Sequence, residues 1–74
     1  SDLAKLQADG ASFVTLTQNG MLRGCIGSPI AYQPLALDVR DNAVKAALQD
    51  PRFPPLPADE LPRTAIEVSV LTPL

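Results

Sequence analysis

The chain is short of chemistry-bearing side chains: one cysteine, no histidine, no tryptophan, one tyrosine and two phenylalanines in 74 residues. A single cysteine excludes an internal disulfide. Without histidine, a zinc site would have to rest on Cys25 and carboxylates alone, a ligand set that zinc sites avoid, so no metal is expected. A Cys/His nucleophilic pair is likewise excluded within the chain. Nothing in the sequence calls for a cofactor. A formal charge of −2 and few aromatics argue against a nucleic-acid surface. No apolar run approaches the ~20 residues a bilayer span needs, and no signal-peptide pattern is present. The lone thiol fits a reducing, cytoplasmic setting. The chain opens on Ser1 rather than methionine, which reads as a processed chain or a piece of something longer. Its length allows at most one small domain, marginal unless something else supports it.

What is present begins with an oddity. Leu22-Arg23-Gly24-Cys25-Ile26-Gly27 places the only cysteine between two glycines in what otherwise reads as a strand. Strand interiors avoid glycine, which costs backbone entropy and packs nothing. The pattern suggests close approach to the backbone, or a bulge or tight bend.

Along the chain, Ser1 to Asp9 reads as the tail of a helix ended by Gly10. Ala11 to Thr17 is rich in β-branched and aromatic residues and predicts a strand. Gln18-Asn19-Gly20 is a turn, and Met21 to Gly27 the return strand. Pro34 opens a helix that runs to Gln49, with Asp41 and Lys45 as an i,i+4 pair. Asp50-Pro51 stops it, with Phe53 returning to the core. Arg52 to Pro57 is a proline-stiffened crossing, Ala58 to Leu61 one helical turn, and Ala65 to Leu71 a third, alternating strand. The expected fold is α+β: an antiparallel hairpin plus a third strand, flanked by an α-helix.

The hairpin register decides the faces. A two-residue Asn19-Gly20 loop would set Thr17 opposite Leu22 and Thr15 opposite Gly24, mixing polar and apolar residues on each face. A three-residue Gln18-Asn19-Gly20 loop sets Leu16 opposite Leu22 and Thr15 opposite Arg23. Val14, Leu16, Leu22 and Ile26 then form one apolar face, and this is the preferred reading. The other face carries Thr15, Thr17, Arg23 and Cys25. On the third strand Ile66, Val68 and Val70 suit the core, which sends Glu67 and Ser69 to the surface shared with Arg23 and Cys25.

On the helix, Asp38, Asp41, Asn42, Lys45 and Gln49 fall in a narrow polar arc at ~100° per residue. Leu35, Leu37, Val39, Ala43, Val44, Ala46, Ala47 and Leu48 cover the remainder, with Arg40 among them snorkelling or paired with a carboxylate. An arc wider than half the helix is too much for one sheet face. Cover from another subunit or a longer chain is expected.

Cys25 reads either as a buried structural thiol or as a thiolate favoured by Arg23 on the same face. Glu67 is its only nearby base, serving in that role only with a raised pKa. Arg23 and Glu67 also read as a simple cross-strand ion pair, worth ~0.2–1 kcal/mol. Gly24 and Gly27 have no phosphate-loop spacing.

Three segments together resemble the AMMECR domain family: GASFVTLTQNGMLRGCIGS (Gly10 to Ser28), PLALDVRDNAVKAALQDPRFPPL (Pro34 to Leu56) and ELPRTAIEVSVLTPL (Glu60 to Leu74). LRGCIG, DPRFPPL and EVSVLTP are specific in combination. The resemblance implies an α+β fold and a candidate cleft lined by Arg23, Gly24, Cys25 and Gly27, with Glu67 beside them. It implies no established activity, so whether the chain is an enzyme stays open. It also implies association with radical-SAM and Memo-type proteins, and hence cytosolic modification chemistry. Family domains are more than twice this long, so residues 1–74 read as a partial domain, the central segment. The leading expectation is binding of a small molecule or modified substrate at a thiol-bearing cleft. Cys25 would be the contacting or reactive thiol and Arg23 its anion contact. Glu67 would be a polar anchor, with Gly24 and Gly27 allowing close approach. The alternatives are a non-catalytic protein-interaction or structural module, and a truncated relative without activity. A homo-oligomer covering the apolar helix face is a further expectation.

Overall fold

The structure, a computed structural model, describes residues 2–71; the two ends of the expected pattern, Ser1 and residues 72–74, lie outside it. A short helix α1 (Asp2–Gln7) precedes the hairpin β1 (Ala11–Gln18) and β2 (Met21–Gly27). Helix α2 (Leu35–Leu48), a 3₁₀ turn (Ala58–Arg63) and β3 (Thr64–Leu71) follow. The three strands form one antiparallel sheet in the order β2-β1-β3, with α2 packed over β1 and β2. The fold is α+β, as the sequence predicts. Pro34 stands just ahead of α2 as its N-cap, with an extended ψ of 137°, rather than as its first helical residue.

The turn departs from the preferred reading. Gln18 pairs with Met21, so the loop is Asn19-Gly20 alone, and both residues have positive φ, 52° and 76°. That conformation matches the twist of the flanking strands, and glycine adopts it without steric cost. The register then slips inside the strand. Thr17 faces Leu22 but Leu16 faces Gly24, leaving Arg23 as a bulge residue. The extra residue belongs to the strand rather than to the loop. Beyond it Thr15 faces Cys25 and Val14 faces Ile26. The faces expected of these four residues therefore hold although their partners shift. Leu22, opposite Thr17, leaves the apolar face and is exposed.

The core is small: Val14, Leu16, Ala46 and Leu56, with Ile26, Val39, Ala43 and Ala47 against it. Each fully buried Val or Leu contributes about 1.5–3 kcal/mol. α2 comes so close to the sheet that a Cβ on Gly24 would collide with the backbone carbonyl of Ala46.

The polar arc of α2 is not simply its solvent side. Asp38 is 0% exposed and Asn42 1%, while Val44 and Leu48 are half exposed. Hydrogen bonding across the layers turns the helix this way. The Asp38 carboxylate accepts from the Ser12 N–H (2.8 Å) and the Ser12 hydroxyl (2.7 Å). The Asn42 amide donates to the Ser12 carbonyl (3.1 Å), the Ser28 hydroxyl (3.1 Å) and Asp38 (3.1 Å). Burial pushes the Asp38 pKa up, but the hydrogen bonds from Ser12 and its neighbours outweigh it, and the net direction is down. Asp41 takes Arg40 (3.2 Å) and Gln33 (3.2 Å), and no ion pair to Lys45 forms among the described residues.

Candidate functional site

The face of the sheet turned away from α2 carries a polar row. Thr15 on the central strand faces Cys25 on one side and Glu67 on the other. The Thr15 hydroxyl and the half-buried Cys25 thiol are hydrogen-bonded at 3.3 Å. Cys25 and Glu67 are two strand spacings apart, about 10 Å, so Glu67 does not touch the thiol. In the next row Phe13 stands between Gly27 and Ser69. Its ring occupies the space a Gly27 side chain would need.

The expected surface of Arg23, Cys25, Glu67 and Ser69 is thus assembled without Arg23. The bulge takes Arg23 out of the alternation, and its guanidinium is held by the crossing after α2. It donates to the Pro54 carbonyl at 2.7 Å and lies 5.6 Å from the centroid of the Phe53 ring. No Arg23–Glu67 ion pair forms among the described residues: β1 runs between their strands and the Arg23 guanidinium turns to Pro54. Gly24 lies under α2, on the other face from the thiol.

The residue that positions Cys25 is Asp50. Read from sequence as a helix stop, it is also a clamp. Its buried carboxylate accepts the Cys25 N–H at 3.0 Å, the Arg52 N–H at 3.0 Å, and two bonds from the Arg52 guanidinium at 3.0 and 2.8 Å. The Arg52 guanidinium, then the two backbone N–H groups, hold the Asp50 carboxyl well below the usual carboxylate range. The paired carboxylate in turn raises the Arg52 pKa. Phe53 does not return to the core but lies beside both guanidinia, each 5.6 Å from its centroid. The sequence signal for this role was present in the Asp-Pro-Arg-Phe string. Its partner on β2 lies 25 residues away and is invisible to local reading.

Chemically, the face offers a half-buried thiol, a hydroxyl bonded to it, a carboxylate one strand beyond and an aromatic ring. Among the described residues no group of three or more His, Cys, Asp or Glu is gathered as a metal site, and no helix is long and apolar enough to cross a membrane.

Comparison with known proteins places these observations. The chain is 53% identical over 64 residues to a protein of Thermotoga maritima, covering 84% of this chain and 37% of that protein. It is 52% identical over 60 residues to Protein Mbar_A1807 of Methanosarcina barkeri, covering 81% of this chain and 30% of that one. The crystal structure of uncharacterized protein PH0010 from Pyrococcus horikoshii superposes with a TM-score of 0.89 at 40% identity, over 95% of this chain and 37% of that chain. The chain thus spans about a third of the length of the relatives it matches. The AMMECR1 family model matches residues 1–74 throughout, and the chain belongs to the AMMECR1 family.

Proposed function

We propose that the outer sheet face around Cys25 is one wall of a binding site for a small molecule or a modified substrate, with Cys25 as the contacting thiol. The observation that carries this reading is a thiol pinned from two sides on a face that α2 leaves open. Asp50 fixes its backbone and Thr15 its sulfur. Phe13 and Glu67 would give such a ligand an apolar and a polar contact. Arg23 is an anchor of the wall, through Pro54. Glu67, one strand beyond Thr15, suits a polar anchor better than a base. With no histidine and no carboxylate touching the sulfur, contact fits Cys25 better than nucleophilic catalysis. The opposite wall would come from the parts of the family domain outside this chain. The resemblance to a family associated with radical-SAM and Memo-type proteins supports a place beside modification chemistry.

A second reading, a structural or protein-interaction module, is favoured by one observation: both glycines of the LRGCIG string are accounted for by packing, under α2 and under Phe13.

Thiol alkylation separates the two. With iodoacetamide at pH 6–8, native Cys25 is expected to react at least as fast as the same chain in urea, and Thr15→Val to change the native rate. Native alkylation tenfold slower than in urea, with Cys25→Ser lowering the thermal midpoint, would sink the contact-thiol reading in favour of a packing thiol.

A further inference from the structure

Three peptide bonds in this chain join an aspartate or asparagine to a glycine or alanine: Asp9-Gly10, Asn19-Gly20 and Asn42-Ala43. At such a bond the nitrogen of the second residue can close on the side-chain Cγ of the first as a five-membered ring, the more readily the smaller that second residue is. The fold treats the three differently. The Gly10 N–H donates to the Gln33 carbonyl at 3.1 Å, Asp9 is bridged to Pro34, and the Leu35 side chain stands 3.0 Å from the place of a Gly10 Cβ. Asn42 is buried in α2, its amide donated to Ser12, Ser28 and Asp38. Asn19 and Gly20 are exposed at the hairpin tip. Nothing lies within 4 Å of a Cβ position at Gly20, and among the described residues no turn or loop hydrogen bond engages the Gly20 N–H.

The turn also holds Asn19 one rotation from ring closure. Positive φ at both central residues marks a type I′ hairpin turn. The other primed turn, type II′, has φ of about +60° and ψ of about −120° at its first central residue. Asn19, at φ 52°, already has the φ of both. The two turns differ in the orientation of the single peptide plane between Asn19 and Gly20, and glycine accepts either sign of φ on its side of that plane. Both suit the same pair of strands, so the plane can flip without unpairing Gln18 from Met21. At a tetrahedral Cα the Cβ stands about 120° round from the backbone nitrogen, so a ψ of about −120° eclipses the Gly20 nitrogen with Asn19 Cβ. That is the arrangement of the five-membered ring.

We propose that Asn19 is a site of self-modification in the folded chain. The Gly20 nitrogen gives its proton to water and bonds to Asn19 Cγ. The Cγ–Nδ2 bond breaks, and its nitrogen takes up a proton and leaves as ammonia. Water then opens the succinimide at either carbonyl, leaving aspartate or isoaspartate and a formal charge of −3 in place of −2. The isoaspartyl product routes the backbone through the side-chain carbon, lengthening a loop that consists of Asn19 and Gly20 alone. At Asp9 and Asn42 the same ring closure requires unfolding.

The test ages the full chain in mildly alkaline buffer, native and in guanidinium chloride. Each of the three positions is read by peptide mapping, and isoaspartate by methylation with an isoaspartyl methyltransferase. The native-to-denatured rate ratio cancels the intrinsic reactivity of each bond. At Asn19 that ratio is expected to stay within about tenfold of unity and to exceed the ratios at Asp9 and Asn42 by at least that factor. The acidic form resolved by anion exchange should carry its change at Asn19 and be absent from Asn19→Ser. A ratio at Asn19 below that range, or one matched at Asp9 or Asn42, overturns the proposal. So does an acidic form that persists in Asn19→Ser.

Discussion

Gly24 is a packing requirement. The helix passes so close that a methyl group would meet the Ala46 carbonyl, a backbone atom that cannot swing aside. Gly24→Ala is expected to cost about 1–3 kcal/mol of stability, read as a lower urea midpoint. Gly27→Ala meets the Phe13 ring, a half-exposed side chain rather than backbone, and should cost less. An equal or greater loss at Gly27 would contradict this account. The sequence left close approach to the backbone and a bulge or bend both open here; both glycines do have close neighbours, and a bulge falls beside Gly24. It did not show that the visitors are the chain's own helix and its own phenylalanine, because a ligand and a packed side chain demand the same space. Asp50 was legible as a helix stop for the reason that proline follows it. Its bond to the Cys25 N–H was not, since nothing local distinguishes a solvated aspartate from a buried one.

Among the elements, α2 was legible in extent but not in rotation. Alanine content and the flanking prolines set its ends. Its orientation follows from Ser12 and Ser28, which bond Asp38 and Asn42 from 26 and 14 residues away. A periodicity argument assigns polar residues to one side of a helix without knowing that buried hydroxyls await them. The hairpin is similar: the Asn-Gly turn was visible, whereas the bulge at Arg23 arises from the fit of β2 against both β1 and the 50–56 crossing. The Asp38 network makes a pH prediction. Its pKa in the folded chain lies below the ordinary value of 3.8, so its contribution is present above that pH. It is lost as pH falls through the folded value. Asp50 and Glu60 act in the same sense. The urea midpoint should therefore fall as pH drops from about 5 through the carboxylate range. Asp38→Asn, which removes one titrating group, should flatten part of that slope. An unchanged slope in Asp38→Asn would place the acid sensitivity elsewhere.

At the scale of the whole molecule, the apolar arc of α2 was the most telling feature of the sequence. It is too wide for one sheet face, and Val44 and Leu48 do stand half exposed beside a bare β3. A surface of this kind should bind a hydrophobic dye such as anilinonaphthalene sulfonate. Combining Val44→Lys with Ile66→Lys should reduce the fluorescence several-fold while shifting stability by no more than about 0.5 kcal/mol. Undiminished dye binding would mean that another surface is responsible. The sheet's two edges differ in a way that bears on self-association. Along β2, Asp50 occupies the Cys25 N–H and the Arg23 side chain is tied down at Pro54, so an incoming strand finds that donor already taken. Along β3 no such obstruction stands among the described residues. A sheet that can grow in one direction only cannot polymerise by edge pairing. Two copies meeting through β3 would present guarded edges on both sides, and growth would terminate there. The clamp that fixes the thiol thereby also disfavours strand pairing at the β2 edge of the sheet.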